Sequence, residues 1–489
     1  MRFSRRAASI VLAASAMLSV LVWHGATDTR AQAPIAPQRP NILVAIADDW
    51  SWLHAGAYGD PAVRTPTIDR LAREGMRFTH AFVAAPSCTP SRAALLTGQY
   101  PHRLDEGSQL WGFLPARFAV YPELLAEAGY HAGSTRKGWG PGQLAPGGRT
   151  QDPAGRKYDD FGAFIAARPD AAPFVFWFGS QDPHRPYEAG SGVRGGIDPA
   201  RVSVPPFLPD TPEVRGDIAD YLFEVERFDR ELGEIVAALE RAGELDDTLV
   251  VVTADNGMPF PRAKATVYDG GTRVPLVVRW PGQVRADAVS DAMVNLVDLA
   301  PTFLEVAGLP PRSDMSGRSL RRVLRGEPEA DRDHVFLERE RHANVRRGDL
   351  SYPVRAIRTR DHLYVRNLRP DRWPAGDPEL YHSVGPYGDI DDGPSKQVLL
   401  GRSADPAIAP YFRLAMARRP AEELYALADD PHQTTNVATD PARAEVLATL
   451  RATLDAWQRD TADPRASDAD DRWDRYPYYG GPAAPRGRE

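Results

Sequence analysis

The chain has 489 residues, of which 43% are hydrophobic and 26% are charged, and its formal net charge is −7. This composition is typical of a globular protein, and the length exceeds what one hydrophobic core usually organises, so we expect two domains. A mildly acidic chain without a basic stripe argues against a nucleic-acid-binding protein. Positive charge at an anion-binding site must therefore come from a few individually placed residues and a metal ion.

The first 33 residues have the pattern of a secretory signal peptide. Arginines precede an apolar run over residues 7–23, and Ala31-Gln32-Ala33 offers a small-x-small cleavage site. We therefore expect a secreted or periplasmic protein that loses residues 1–33 and has no stable membrane insertion afterwards. An uncleaved membrane anchor is the alternative, because the apolar run is nearly long enough to span a bilayer.

Two acidic pairs follow two continuously apolar runs. Residues 41–47 end at Asp48-Asp49, and residues 248–253 are followed by Asp255-Asn256. Such runs are typical of central parallel strands, and ligands of α/β sheets bind beyond the carboxyl ends of the strands. Adjacent carboxylates repel unless a cation lies between them, and an all-oxygen set suits Ca²⁺, with Mg²⁺ as the alternative. Either pair alone is equally typical of a turn or helix cap, but two pairs at equivalent strand ends favour a metal site.

Cys88 is the single cysteine, so no intramolecular disulfide can form. A lone cysteine is usually a small buried hydrophobic residue. Here, however, Thr89 is predicted as a helix N-cap, Pro90 as the first helical residue and Gly98 as the C-terminal stop. Cys88 is therefore expected at a helix N-terminus, which favours an anion, with Arg92 one turn further on.

The remaining periodicities predict an α/β domain over residues 34–333, with a mainly parallel sheet flanked by helices. Its further strands are predicted at 174–179 and 275–280, and its helices near 69–75, 121–129 and 218–239. From residue 334 to 461 we predict a smaller α+β domain, with antiparallel strands at 334–339, 354–360 and 362–367 and a helix over 440–460. Residues 462–489, rich in Asp, Arg, Pro and Gly, are predicted to form a loose tail.

The segment Cys88-Thr89-Pro90-Ser91-Arg92, followed by Leu96-Thr97-Gly98, resembles the signature of the sulfatase family. The resemblance runs from residue 40 to residue 460 and includes both acidic pairs. It implies an alkaline-phosphatase-like fold and conversion of Cys88 to formylglycine (3-oxoalanine) by a formylglycine-generating maturation enzyme. It also implies that hydrated formylglycine attacks sulfur beside a divalent ion held by Asp48, Asp49, Asp255, Asn256 and the modified Cys88.

Three further residues match family positions. Lys137 and Lys264 correspond to active-site lysines, and His184 corresponds to a histidine near the leaving-group oxygen. Taken alone, each lysine is more typical of a solvated surface charge, and His184 of a loop histidine. Trp139 and Gln181 stand where many family members have histidines. General-acid catalysis would then depend more heavily on His184 or on a lysine.

A closer resemblance, to the sulfamidase branch of the family, is carried by residues 182–185, 204–212, 256–261, 351–355 and 430–441. It implies hydrolysis of N-linked sulfate from terminal glucosamine of heparan-like saccharides. Arg355 would bind the substrate as a bidentate donor, and Trp139 would stack on a sugar face. Lys264 stands at an arginine position of the sulfamidases, so a point charge replaces a planar fork.

Three alternatives stay open. One is an O-sulfatase acting on another polysaccharide, and a second is a phosphonate or phosphodiester hydrolase of the same superfamily. The third is a non-catalytic binder of sulfated glycans. An alkaline phosphatase is disfavoured, because the sequence shows no matching set of histidine ligands for two zinc ions.

Overall fold

The computed structural model describes residues 39–170, 172–379, 385–467 and 470–480. The predicted signal peptide, residues 1–33, lies outside the described residues, and the secreted or periplasmic location stays a prediction. Within the described ranges, no helix combines the length and the apolar character needed to cross a membrane.

A large sheet organises the first part of the chain. In chain order the strands up to residue 295 are β1 (Asn41–Ala47), β2 (Met76–Phe78), β3 (Ala81–Phe82), β4 (His131–Arg136), β5 (Arg156–Lys157), β6 (Phe174–Gly179), β7 (Thr248–Ala254), β8 (Leu276–Arg279), β9 (Ala288–Ser290) and β10 (Val294–Asn295). Eight of them form one sheet in the order β5-β4-β6-β1-β7-β8-β2-β9, and β10 pairs with β3 separately. The five neighbouring strands β5, β4, β6, β1 and β7 run parallel to one another. Strand β8 is antiparallel to its neighbours β7 and β2. The predicted mainly parallel sheet is confirmed.

Helices cover this sheet. They are α1 (Pro66–Glu74), α2 (Cys88–Thr97), α3 (Tyr121–Glu127), α4 (Phe161–Ala166), α5 (Ser191–Arg194), α6 (Pro212–Arg241), α7 (Asp269–Thr272), α8 (Leu299–Val306) and α9 (Arg321–Leu324). The longest, α6, extends the predicted amphipathic helix by several residues at its start, where the Thr211 side chain accepts a hydrogen bond from Val214 N. Its apolar positions are buried because they recur every three or four residues along one face.

The smaller sheet is antiparallel, as predicted. Its strands, in sheet order, are β11 (His334–Arg339), β12 (Val354–Thr359), β13 (His362–Asn367) and β14 (Glu422–Ala426). Helices α10 (Pro394–Gly401) and α11 (Ala409–Met416) precede β14, and α12 (Ala444–Asp460) follows it. Apolar residues of α12, including Leu454 and Trp457, pack on this sheet. The sheet begins at the predicted boundary, and the division into two domains stays a prediction.

The predicted loose tail is wrong for its described part, residues 462–467 and 470–480. Helix α13 (Arg472–Arg475) carries Trp473, whose side chain is fully buried. Asp463 forms an ion pair with Arg355, and Arg465 forms one with Glu340. The charged composition suggested that this segment would be solvated, but the charged side chains of Asp463 and Arg465 form ion pairs with buried residues. Residues 481–489 lie outside the described part of the chain.

Candidate active site

Four neighbouring parallel strands carry the candidate residues at their carboxyl ends. In β1 and β7, Ala47 pairs with Ala254, so Asp48-Asp49 and Asp255-Asn256 leave the sheet side by side. Asp49 adopts a left-handed backbone conformation with φ 73°, and its N–H donates to Asp255 Oδ1 at 3.1 Å. Lys137 follows β4, and the segment with His184 follows β6. The sheet register therefore brings together residues from four distant parts of the chain.

Cys88 lies at the N-terminus of α2, as predicted. The capping differs from the prediction, because Ser87 rather than Thr89 is the N-cap residue and the helix already begins at Cys88. The Thr89 hydroxyl donates to the carbonyl oxygen of Pro141 instead. Gly98 ends the helix in a left-handed conformation with φ 67°, as expected of a helix C-terminus.

The acidic residues converge on Cys88. Ligand atoms of Asp48, Asp49, Cys88 and Asp255 all lie within 4.8 Å of one another, and all four side chains are buried. Cys88 Sγ donates to Asp48 Oδ1 at 3.4 Å. Burial and the Asp48 carboxylate raise the pKa of the Cys88 thiol well above its usual value. The thiol therefore stays protonated when only the protein's own side chains surround it.

Three cations surround this cluster. Arg92 Nε donates to Asp255 Oδ2 at 2.7 Å, Lys137 Nζ donates to Asp48 Oδ2 at 2.5 Å, and Lys264 Nζ donates to Asp49 Oδ2 at 2.7 Å. Burial opposes their charge, but the carboxylates prevail and raise the pKa of all three cations. Although burial opposes its ionisation too, Lys137 lowers the pKa of Asp48. Asp48 and the three cations are therefore charged.

His184 stands at the outer edge of the site, with 35% of its side chain exposed. Its Nδ1 lies 2.5 Å from the carbonyl oxygen of Arg185, which can only accept, so Nδ1 carries the proton. Its Nε2 lies 3.2 Å from Lys264 Nζ. His184 therefore presents Nε2 toward the cations and toward the open side of the site.

An open cleft of about 880 Å³ leads to these residues. Asp48, Cys88, Lys137, His184 and Lys264 all line it. Gln181, exposed at the surface, also lines it. A molecule in this cleft can reach the cysteine, the cations and the acidic cluster together.

Two predicted substrate-binding residues are placed differently. Arg355 is fully buried, donates to Asp463 at 2.7 and 3.0 Å, and also pairs with Glu340. It does not line the cleft, so the predicted contact with substrate is wrong for this conformation. Trp139 does border the cleft, but it is only 1% exposed, so its ring has no free face for a sugar.

Asp391 and His342 are among the cleft residues that were not predicted. Asp391 Oδ2 accepts a hydrogen bond from Lys264 Nζ at 2.7 Å. His342 lies near it in the cleft wall, with Nδ1 2.8 Å from Ser87 Oγ, and burial lowers the pKa of His342 to about 4. Neither residue belongs to a motif, so only the tertiary structure identifies them.

Two family models match this chain. Residues 40–309 match the sulfatase family model, and residues 262–373 match the model of the C-terminal part of N-sulphoglucosamine sulphohydrolase. Human N-sulphoglucosamine sulphohydrolase is 32% identical over 475 residues, which cover 87% of this chain and 91% of the relative. An ulvan-active sulfatase of Formosa agariphila is 27% identical over 490 residues, which cover 86% of this chain and 75% of the relative.

Solved structures show the same fold. A protein crystallised with its substrate D-glucosamine-2-N,6-O-disulfate has a TM-score of 0.63 at 20% identity, covering 88% of this chain and all of that one. The phosphonate monoester hydrolase of Agrobacterium radiobacter has a TM-score of 0.61 at 20% identity, covering 86% and 96%.

The sheet with its acidic strand ends, the buried cysteine at a helix N-terminus and the human relative agree with one another. The chain belongs to the sulfatase family, whose members hydrolyse sulfate esters or sulfamates.

Proposed function

We propose that this protein removes N-linked sulfate from glucosamine residues of heparan-like saccharides, using Cys88 converted to formylglycine beside one Ca²⁺. The observation that carries the proposal is the position of Cys88. Cys88 lines the cleft, with its Sγ 3.4 Å from Asp48 Oδ1, and Lys137 and Lys264 line the same cleft. A reactive group at position 88 would therefore contact a sulfate bound in the cleft, and the two lysines would balance the negative charge of that sulfate.

The chain's own residues fit a divalent metal ion. Asn256 Oδ1 is buried without a hydrogen-bond partner, while Nδ2 of the same amide donates to Asp49 at 2.6 Å. A buried carbonyl oxygen without a partner is costly unless a donor or a cation occupies its free side. Together with the carboxylates of Asp48, Asp49 and Asp255, Asn256 Oδ1 completes an all-oxygen set of ligands of the kind that Ca²⁺ prefers. Mg²⁺ is the alternative ion.

The charge balance supports the same conclusion. The described cluster contains four carboxylates and three cations, namely Asp48, Asp49, Asp255 and Asp391 against Arg92, Lys137 and Lys264. One net negative charge would repel a sulfate group. A divalent ion changes this to one net positive charge, which the single negative charge of a sulfate ester or sulfamate neutralises. When bound, the ion also polarises the sulfuryl oxygens and the nucleophile.

Modification of Cys88 resolves a chemical difficulty. The nucleophilic form of a cysteine is the thiolate, but burial and Asp48 hold this thiol protonated. The hydrated aldehyde of formylglycine supplies a hydroxyl nucleophile that needs no thiolate. A formylglycine-generating maturation enzyme is therefore the partner that we expect for this chain.

The neighbouring side chains have distinct roles. Lys137 and Lys264 keep their positive charge because of their carboxylate partners, and they stabilise the charge on the sulfuryl oxygens. Arg92 donates to Asp255 and to the carbonyl oxygens of Lys137 and Gly138, so it holds the site together as well. His184 Nε2 faces the open cleft edge, and the imidazolium form, protonated on both ring nitrogens, donates its Nε2 proton to the leaving nitrogen or oxygen.

The relatives support a saccharide substrate. The human relative's name includes N-sulphoglucosamine, and its likeness spans most of both chains. The match at residues 262–373 adds the C-terminal part of the same protein. An O-sulfatase acting on another polysaccharide is the second candidate, because the ulvan-active sulfatase also matches most of this chain.

Two measurements test the proposal. Peptide mass spectrometry across Cys88 should show formylglycine, and the purified protein should release sulfate from N-sulfoglucosamine. The Cys88→Ala variant should keep its fold and lose turnover, because only a small side chain is removed. Sulfate release confined to O-sulfated monosaccharides would replace the sulfamidase assignment with the O-sulfatase, and full activity of Cys88→Ala would refute the nucleophile.

A further inference from the structure

We infer that Trp111 is the aromatic platform on which a sugar ring of the substrate stacks, and that residues 476–480, the C-terminal latch, hold it in place. The inference rests on the proposed saccharide substrate and adds a specificity residue to it. Trp111 lines the same cleft as Lys137 and His184. Unlike the buried Trp139, it is partly exposed.

The surroundings of Trp111 suit a sugar. The cleft that Trp111 lines also contains hydrogen-bonding side chains, including Asp152, Gln181 and His342. A pyranose ring has an apolar C–H face and a rim of hydroxyl groups. An aromatic surface next to polar groups matches both features, since ligand sites combine apolar rings with a few orienting polar groups.

The latch contacts Trp111 directly. Tyr479 N donates to the carbonyl oxygen of Trp111 at 2.8 Å. Gly480 packs on the indole so closely that a Cβ at position 480 would lie 2.4 Å from Trp111 Cδ1. The ring of Tyr479 also meets Phe113 edge-on, with 6.1 Å between the ring centroids. One face of the indole is therefore supported by the C-terminal segment.

Two buried side chains, Gln109 and Arg341, anchor the latch to the rest of the chain. Gln109 Nε2 donates to the carbonyl oxygen of Pro477 at 2.7 Å, and Arg341 Nη2 donates to that of Tyr476 at 2.5 Å. Arg341 Nε also donates to Gln109 Oε1 at 3.0 Å. The two side chains are 0% and 2% exposed. The position of Trp111 is thus fixed before any substrate arrives, which lowers the entropic cost of binding.

Saccharide binding by inactive protein tests the platform without depending on turnover. In the Cys88→Ala background, isothermal titration with an N-sulfated glucosamine disaccharide should show a Kd about tenfold higher for Trp111→Ala, as expected for loss of one stacking contact. Trp111→Phe should retain most of the affinity, and it covers the case in which the alanine variant fails to fold. Trp373→Ala is the matched control, because Trp373 is also partly exposed but does not line the cleft.

The latch is tested by Gly480→Ala, which keeps Trp111 but disrupts the close contact between residue 480 and the indole. We expect a several-fold higher Kd for the same disaccharide. An unchanged Kd in Trp111→Ala would overturn the platform, and an unchanged Kd in Gly480→Ala would overturn the latch. If the unaltered protein released no sulfate, the proposed function would fail, yet loss of binding in Trp111→Ala would still support the platform.

Discussion

Lys264 and Asp391 form an ion pair at the cleft, with 2.7 Å between Nζ and Oδ2. The same ammonium lies 2.7 Å from Asp49, so it connects the acidic cluster to the cleft wall. Burial opposes its charge, but both carboxylates raise the pKa of Lys264 well above its usual value. Lys264 is therefore a fixed positive charge, and its position depends on a residue 127 positions away in the sequence.

Replacement of Asp391 should show whether it acts on Lys264 through its hydrogen bond or through its negative charge. Asp391→Ala leaves Lys264 Nζ with one carboxylate partner and freedom to move, so we expect kcat/KM to fall about tenfold, the equivalent of roughly 1.4 kcal/mol. Asp391→Asn keeps an acceptor oxygen, so its loss should be at most about threefold. Steady-state kinetics with a sulfated saccharide measure both variants. Equal losses in the two variants would argue against positioning by the hydrogen bond.

Removal of the metal ion should lower both activity and stability. Dialysis against a chelator should leave the carboxylates of Asp48, Asp49 and Asp255 with one partner fewer, and the melting temperature should fall. An ion that binds only the folded state stabilises it by about 2.7 kcal/mol at a concentration of 100 Kd. Added Ca²⁺ should restore both properties, and elemental analysis should find one calcium per chain. Two zinc ions per chain would contradict the assignment and favour a phosphatase.

The sequence was sufficient where the structure depends on local patterns. The runs that form β1 and β7 are fully buried and continuously apolar, so their strands and the acidic pairs behind them were predictable. Strand β4, with the sequence HAGSTR, was missed because it is largely polar, unlike the equally long β6. It is a strand because it pairs with β6 on one side and β5 on the other.

The sequence was insufficient where function depends on which side chain is exposed. Trp111 and Trp139 are 28 positions apart, and nothing in their neighbours indicates that only Trp111 has a free surface. Asp391 follows no motif and reaches the site only through the folded chain. The role of Arg355 was misjudged for the same reason, because its carboxylate partners come from β11, its following loop and the segment after α12.

Arg355 should matter for stability and not for binding. It is the buried counter-ion of Asp463, Glu340 and Glu338, at N···O distances of 2.7, 2.9 and 3.4 Å. Arg355→Met removes one partner of a buried network, which typically costs about 3–5 kcal/mol. We expect a markedly lower melting temperature and an unchanged KM at a temperature where the variant is folded. A raised KM with normal stability would restore Arg355 as a substrate-binding residue.

Glu224 gives the protein a pH-dependent stability near neutrality. It lies on α6, where burial and the neighbouring Asp182 carboxyl raise the pKa of Glu224 to about 7. The folded state therefore binds the proton more tightly than the unfolded state, whose glutamate has a pKa near 4.5. The resulting stabilisation is complete below the unfolded pKa and is lost as the pH rises toward about 7.

Glu224→Gln cannot ionise, so the variant should escape this loss. Relative to the unaltered protein, we expect its free energy of unfolding to increase by on the order of 1 kcal/mol between pH 5 and pH 8. Thermal or denaturant unfolding at the two pH values measures the difference. Glu234→Gln, an exposed position on the same helix, removes the same charge without burial and should show no such trend. Parallel pH profiles for the Glu224→Gln variant and the unaltered protein would show that the Glu224 carboxyl ionises alike in the folded and unfolded states.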